Sequence, residues 1–130
     1  MPTANTLVRS IFGFSRCNTQ ALVRSIEIAY ELLFVQGRSR NSIQVTKDIY
    51  PDVAREIQPK RYKTVVRQIE RLCNQCWDRI RADPYLLEKV IGNHTKELEA
   101  PSEIIFLLAC YLKYKKPFQE VLEREPALTF

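Results

Sequence analysis

One segment, residues 62–80, constrains the fold more than any other because its apolar residues recur at three- and four-residue spacing. At 100° per residue these side chains fall on one face of an α-helix, which predicts that this face is buried. We expect the helix to run from about residue 60 to residue 79. The residues predicted to face the core are Tyr62, Val65, Ile69, Leu72, Cys73, Cys76 and Ile80, with Val66 and Trp77 at the edge.

The opposite face of this segment is polar and basic. Residues 55–81 include eight basic and three acidic residues, a difference of +5 that equals the formal net charge of the whole chain. Concentrated positive charge favours a polyanionic partner, of which nucleic acid is the commonest in cytoplasm. A solvated basic face without a partner is the alternative. The candidates for DNA contact are Lys60, Arg61, Lys63, Thr64, Arg67, Gln68 and Arg71.

The rest of the chain also predicts helices, with no convincing pair of strands. Thr6 can cap the first helix and Asn18 or Thr19 the second, while Gly13 and Gly37 can end them. Pro51 should break the third helix and begin a short fourth one. Residues 1–130 are therefore predicted to form an all-α, compact single domain of about six helices, with residues 117–130 as a tail. The other predicted helices cover residues 6–12, 18–36, 41–50, 51–56, 84–91 and 102–116.

Several classes of function are disfavoured by the residues present. Cys73 and Cys76 form a C-x-x-C motif, but both fall on the apolar face of one helix, which favours burial over a metal or redox site. His94 lies in a predicted loop without a neighbouring nucleophile, and no glycine-rich phosphate loop is present. We expect no enzymatic activity, metal or cofactor. The longest apolar run, residues 104–110, is too short to cross a bilayer, so we expect a soluble cytoplasmic protein without a membrane partner.

The sequence predicts a short helix, a turn and a longer helix with a basic outer face. This is the arrangement of a helix-turn-helix. Only the amino-terminal turns of a recognition helix reach base edges in the major groove. The order of residues fits this geometry, since Lys63 and Arg67 come early whereas Asn74 and Asp78 come late. The sequence thus predicts duplex-DNA binding.

The block SIQVTKDIYPDVARE at residues 42–56 is followed by Val65, Arg67, Ile69 and Trp77. This order of residues resembles the carboxy-terminal DNA-binding domain of the sporulation-initiation response regulator of endospore-forming bacteria. The resemblance spans about residues 9–115. Further agreement is found at Gly13, Arg24, Tyr30 and Gly92 and in residues 102–105.

The resemblance implies a bacterial, nucleoid-associated helix-turn-helix transcription factor that binds repeated short DNA boxes as paired domains, hence as a homodimer. Arg67 matches an arginine that the family uses on DNA, when one inserted residue is allowed in the turn. Contact with RNA polymerase is implied for residues 80–93, where the spacing of Leu87, Ile91 and Gly92 is familiar. With Met1 close to the first helix, no phosphoacceptor domain is expected before it.

Three residues depart from the family pattern. Thr64 and Glu70 stand where the family has arginines, and Val66 stands where it has a glutamate. The box sequence of the family therefore does not transfer to this chain. These departures leave open an alternative from another class, in which the chain is a helical protein-interaction module that has lost base recognition.

Overall fold

Helices account for all the regular structure in a computed structural model that describes residues 3–13, 16–57, 61–92 and 100–125. Within these ranges no strand occurs, so the predicted all-α class is confirmed. Buried side chains from the successive helices form one core. The helices are α1 (Ala4–Phe12), α2 (Gln20–Tyr30), α3 (Tyr50–Glu56), α4 (Tyr62–Ala82), α5 (Pro84–Val90), α6 (Glu103–Tyr114) and α7 (Phe118–Arg124).

Helix α6 lies at the centre of the core. Residues 104–110 are apolar on every side of the helix and are at most 2% exposed, as their sequence predicts. The helix packs most extensively against α2 and also contacts α1, α4, α5 and α7. Its Phe106 ring is fully buried, and the guanidinium carbon of Arg40 lies 3.6 Å from the ring centroid.

Short polar side chains begin several helices. The Oγ1 atom of Thr3 accepts a hydrogen bond from the backbone N–H of Thr6, so α1 is capped by Thr3 and not by Thr6 as predicted. Asp83 accepts from the N–H groups of Tyr85 and Leu86, which places Pro84 in the first turn of α5.

Two π-helical turns flank the loop between α2 and α3. The first, Glu31–Val35, extends α2, and the second, Val45–Ile49, leads directly into α3. The predicted break at Pro51 is wrong, because the backbone remains helical on both sides of this residue. A proline is tolerated here because it occupies the first turn of α3, where its missing N–H is not needed.

Helix α6 ends in a strained conformation at Lys115. This residue has a φ of 55° and is left-handed, and its N–H donates to the carbonyl of Tyr111. Glycine is the usual residue in such a position, since a side chain there costs roughly 1–2 kcal/mol.

Gly92, after α5, is a position where a side chain should be costly. Its φ is +121°, and an added Cβ would lie 2.6 Å from Oε1 and 3.0 Å from Cβ of Gln119. We therefore expect Gly92→Ala to lower the free energy of unfolding by about 1–2 kcal/mol, measured by urea denaturation. Gly37→Ala is the matched control, because Gly37 also has a positive φ but no atom within 4 Å of the added Cβ. Equal losses in the two variants would show that the approach of Gln119 is unimportant.

Candidate nucleic-acid interface

Helix α4 is fixed by its apolar face. Val65, Ile69, Leu72 and Ile80 are fully buried, which confirms the predicted inward face. Helices α1, α2, α3, α5 and α6 all contact α4. The orientation of its outer face is therefore set by core packing along the length of the helix.

The outer face of α4 and the residue before its first turn carry a basic ridge, which we define as Arg61, Lys63, Arg67 and Arg71. All four side chains are exposed, as is Thr64 among them. Among the residues that the structure describes, no carboxylate lies within 4.0 Å of these four cationic groups. The exposed Glu70 lies beside the ridge without forming an ion pair with it. The ridge is thus available to a polyanion.

One of the predicted DNA-contact residues does not face solvent. Gln68 is only 9% exposed, so the prediction of an outward-facing Gln68 is wrong. It lies at the margin of the apolar face, beside the fully buried Ile69. Lys60 lies outside the described residues.

Two polar contacts hold the ends of α4. Near its amino end, the Tyr62 hydroxyl donates to the carbonyl of Thr46 over 3.3 Å. Tyr62 is 42% exposed, so its predicted position in the core is wrong. Near the carboxyl end, Nη1 of Arg79 donates to the carbonyl of Phe12 over 3.0 Å, and the guanidinium lies above the Phe12 ring.

Not all the basic residues of this segment are available to a ligand. Arg79 is engaged with Phe12, and Arg55 forms an ion pair with Asp52 one turn earlier on α3. Part of the positive charge counted in the sequence therefore belongs to residues that make contacts within the protein. Among the described residues, the basic side chains of the ridge, which have no carboxylate within 4.0 Å, lie at the first three turns of α4, where a recognition helix meets DNA.

The helix that precedes α4 is held by a two-point ion pair. Nε and Nη2 of Arg24 on α2 donate to the two carboxylate oxygens of Glu56 on α3, over 2.6 and 3.0 Å. The hydrogen-bonded arginine lowers the pKa of the Glu56 carboxyl group. In the sequence, Arg24 stands out only as one of the residues that resemble the family, because no local pattern pairs it with a residue 32 positions away.

The two cysteines of the C-x-x-C motif are buried inside the core, as predicted. Burial raises the pKa of the Cys73 thiol well above its usual value and that of Cys76 to about 12. Both thiols are therefore protonated at neutral pH. Within the described parts of the chain, no group of three or more histidine, cysteine or acidic residues could hold a metal ion; His94 lies outside them.

Aromatic side chains suited to base stacking are scarce on the ridge. Trp77 and Tyr50 are 8% and 2% exposed, so both pack in the core. In the region compared with a polymerase contact, Ile80, Val90 and Ile91 are buried, while Tyr85 is 72% exposed.

Comparison with known proteins identifies no relative of the chain. No family model, curated protein or solved structure matches it. Across the described residues, every helix is too short or too polar to cross a membrane.

Proposed function

We propose that this protein binds duplex DNA through a helix-turn-helix formed by α3 and α4, and that it regulates transcription. The observation that carries the proposal is the exposed basic ridge, whose four cations have no carboxylate partner among the described residues. An α-helix fits the major groove, and lysine and arginine side chains at its amino end reach both phosphates and base edges.

Different ridge residues are given different roles. Arg67 lies within the first two turns of α4 and is assigned to a base edge, where a guanidinium can donate two hydrogen bonds to guanine O6 and N7. Arg61, Lys63 and Arg71 are assigned to phosphates, and Thr64 to a groove contact. The resemblance to the sporulation regulator supports a role in transcription, with paired domains on tandem boxes and contact with RNA polymerase as parts of the same proposal.

One observation favours the second candidate function. Glu70 is exposed beside the ridge, where its carboxylate repels phosphate, and Val66 is half-buried on the same side. A protein-interaction module with the same fold would keep the core and lose base recognition. It would bind neither a preferred sequence nor duplex DNA in a salt-dependent way.

Selection of duplexes from a random library, followed by titration at several salt concentrations, separates the two candidates. A regulator should bind the selected duplex at least about tenfold more tightly than a scrambled one. Its affinity should also fall steeply with salt, because each neutralised phosphate contributes nearly one unit to the logarithmic slope. A flat salt response without sequence preference would reject DNA binding.

We expect Lys63→Ala to weaken binding to selected and random duplexes by similar factors and to reduce the salt slope by about one unit. The reason is that an ammonium group contacts phosphate as a point charge without distinguishing bases. Fluorescence anisotropy at varied salt measures both quantities. Lys113→Ala is the matched control, since Lys113 is an exposed lysine on α6 outside the ridge. A loss confined to the selected duplex would assign Lys63 to a base instead.

A further inference from the structure

A second surface of the molecule combines exposed apolar groups with positive charge. On this surface the Phe34 ring packs edge-to-face against Tyr30 and Tyr114, with centroid distances of 5.2 and 5.7 Å. All three rings are half-buried, and the adjacent Val35 is 70% exposed. We call these four residues the aromatic patch. It lies where the π-helical end of α2 meets the carboxyl end of α6, and includes no residue of α4.

A groove of about 340 Å³ adjoins the aromatic patch between α6 and α7. Tyr114 belongs to both, since it contacts Phe34 and also lines the groove together with Val121. This volume falls at the lower end of the range for ligand pockets, and it is large enough for one apolar side chain. The groove therefore offers an apolar anchor point next to half-buried rings.

Basic residues border the aromatic patch and the groove. The Nζ atom of Lys113 lies 6.0 Å from the Phe34 centroid, and Lys116 and Arg124 line the groove. In the described part of the chain, none of these cations has a carboxylate within 4.0 Å. Among the described residues that line the groove, Glu125 is the acidic one. The charge of this border suits an acidic partner.

Lys115 extends the border at a conformational cost. It is exposed and left-handed, in a position that glycine would occupy without strain. Strained residues persist where the surrounding structure holds them, and they cluster at functional sites. Here the strained residue places another positive charge beside Tyr114.

We propose that the aromatic patch and the groove bind an acidic peptide segment of another protein. An aromatic or leucine side chain of this peptide segment fills the groove. Carboxylates of neighbouring residues in the peptide pair with Lys113, Lys115 and Lys116. A peptide fits better than a lipid surface, because stable membrane binding needs a larger exposed apolar area than one strongly exposed valine. Recognition of acidic motifs by clustered cationic side chains is a known mode of peptide binding.

The test begins with selection from a displayed library of random peptides on the intact chain, followed by fluorescence anisotropy with one synthetic selected peptide. We expect selected sequences rich in Asp and Glu around an aromatic or leucine residue. Replacing that apolar residue by serine should weaken binding about tenfold or more. Selection of peptides without acidic bias, no selection at all, or equal binding of the serine peptide would overturn the proposal.

Variants of the protein test whether the peptide binds at the aromatic patch and the groove. Lys115→Gly removes one charge and relieves the strained backbone, so we expect several-fold weaker peptide binding in a protein at least as resistant to heat. Glu125→Gln should strengthen binding, because it removes the acid at the groove. Unchanged affinity in both variants would overturn the assignment to this surface.

Other occupants of the surface are distinguished by separate measurements on the same variants. Sedimentation of the protein with phosphatidylcholine vesicles containing phosphatidylserine tests a membrane, and sedimentation velocity tests a second copy of the chain. We expect neither property to depend on Lys115 or Val35. Vesicle binding or self-association that Lys115→Gly and Val35→Ser both abolish would overturn the peptide as occupant.

Discussion

Replacing Arg67 by alanine should weaken binding to the selected duplex by about 1–3 kcal/mol and relax the preference at one base pair. Arg67 is exposed within the first two turns of α4 and has no ion-pair partner among the described residues, so its guanidinium is free to donate to a base. Anisotropy with the selected duplex and with single-base variants of it measures the loss and its position.

A matched control for Arg67→Ala exists on the same helix. Arg81→Ala removes the same side chain fourteen residues later, about 21 Å along the helix axis, near the end of the outer face. Because the far end of a recognition helix leaves the groove, we expect Arg81→Ala to leave base preference unchanged. If Arg67→Ala weakens selected and random duplexes equally, Arg67 does not contact a base.

Truncating Phe106 to alanine should lower the free energy of unfolding by about 3–5 kcal/mol. The ring is fully buried at the centre of α6, and it also supports the half-buried guanidinium of Arg40 at 3.6 Å. The variant loses the transfer free energy of the ring, leaves a cavity, and deprives Arg40 of its cation–π partner. Urea denaturation, with the midpoint and the slope fitted together, measures the effect.

A second substitution at residue 106 separates the loss of buried volume from the loss of the cation–π contact. Phe106→Leu keeps much of the buried volume, so it should cost less than Phe106→Ala while still removing the cation–π contact. A loss below about 1 kcal/mol for Phe106→Ala would show that neighbouring side chains collapse into the space.

The helices that the sequence predicts well are those whose burial is decided by their own residues. Residues 104–110 are apolar on every side, so no choice of orientation could expose them to water without a large cost. The apolar face of α4 is similarly well defined, since Val65, Ile69, Leu72 and Ile80 repeat at helical spacing and are fully buried. The all-α class follows from these patterns.

The sequence predictions that the structure contradicts concern residues at the margins of apolar helix faces and at the ends of helices. A helical wheel gives the direction of Gln68 and Tyr62, but it does not show which neighbouring helix covers each direction. Gln68 is only 9% exposed, whereas Tyr62 lies in the first turn of α4 and is 42% exposed. The engagement of Arg79 with Phe12 joins residues 67 positions apart, which no local pattern contains.

The π-helical turn Val45–Ile49 has a consequence for changes in chain length. Its hydrogen bonds span five residues, as in the bond from Tyr50 N–H to the Val45 carbonyl, where an α-helix spans four. Such a turn stores one surplus residue. A single deletion there would restore ordinary helix and rotate the adjoining end of the preceding loop by about 100°, leaving α3 and α4 in place. The π-helical turn thus allows the loop before it to change in length by one residue while α3 and α4 keep their positions.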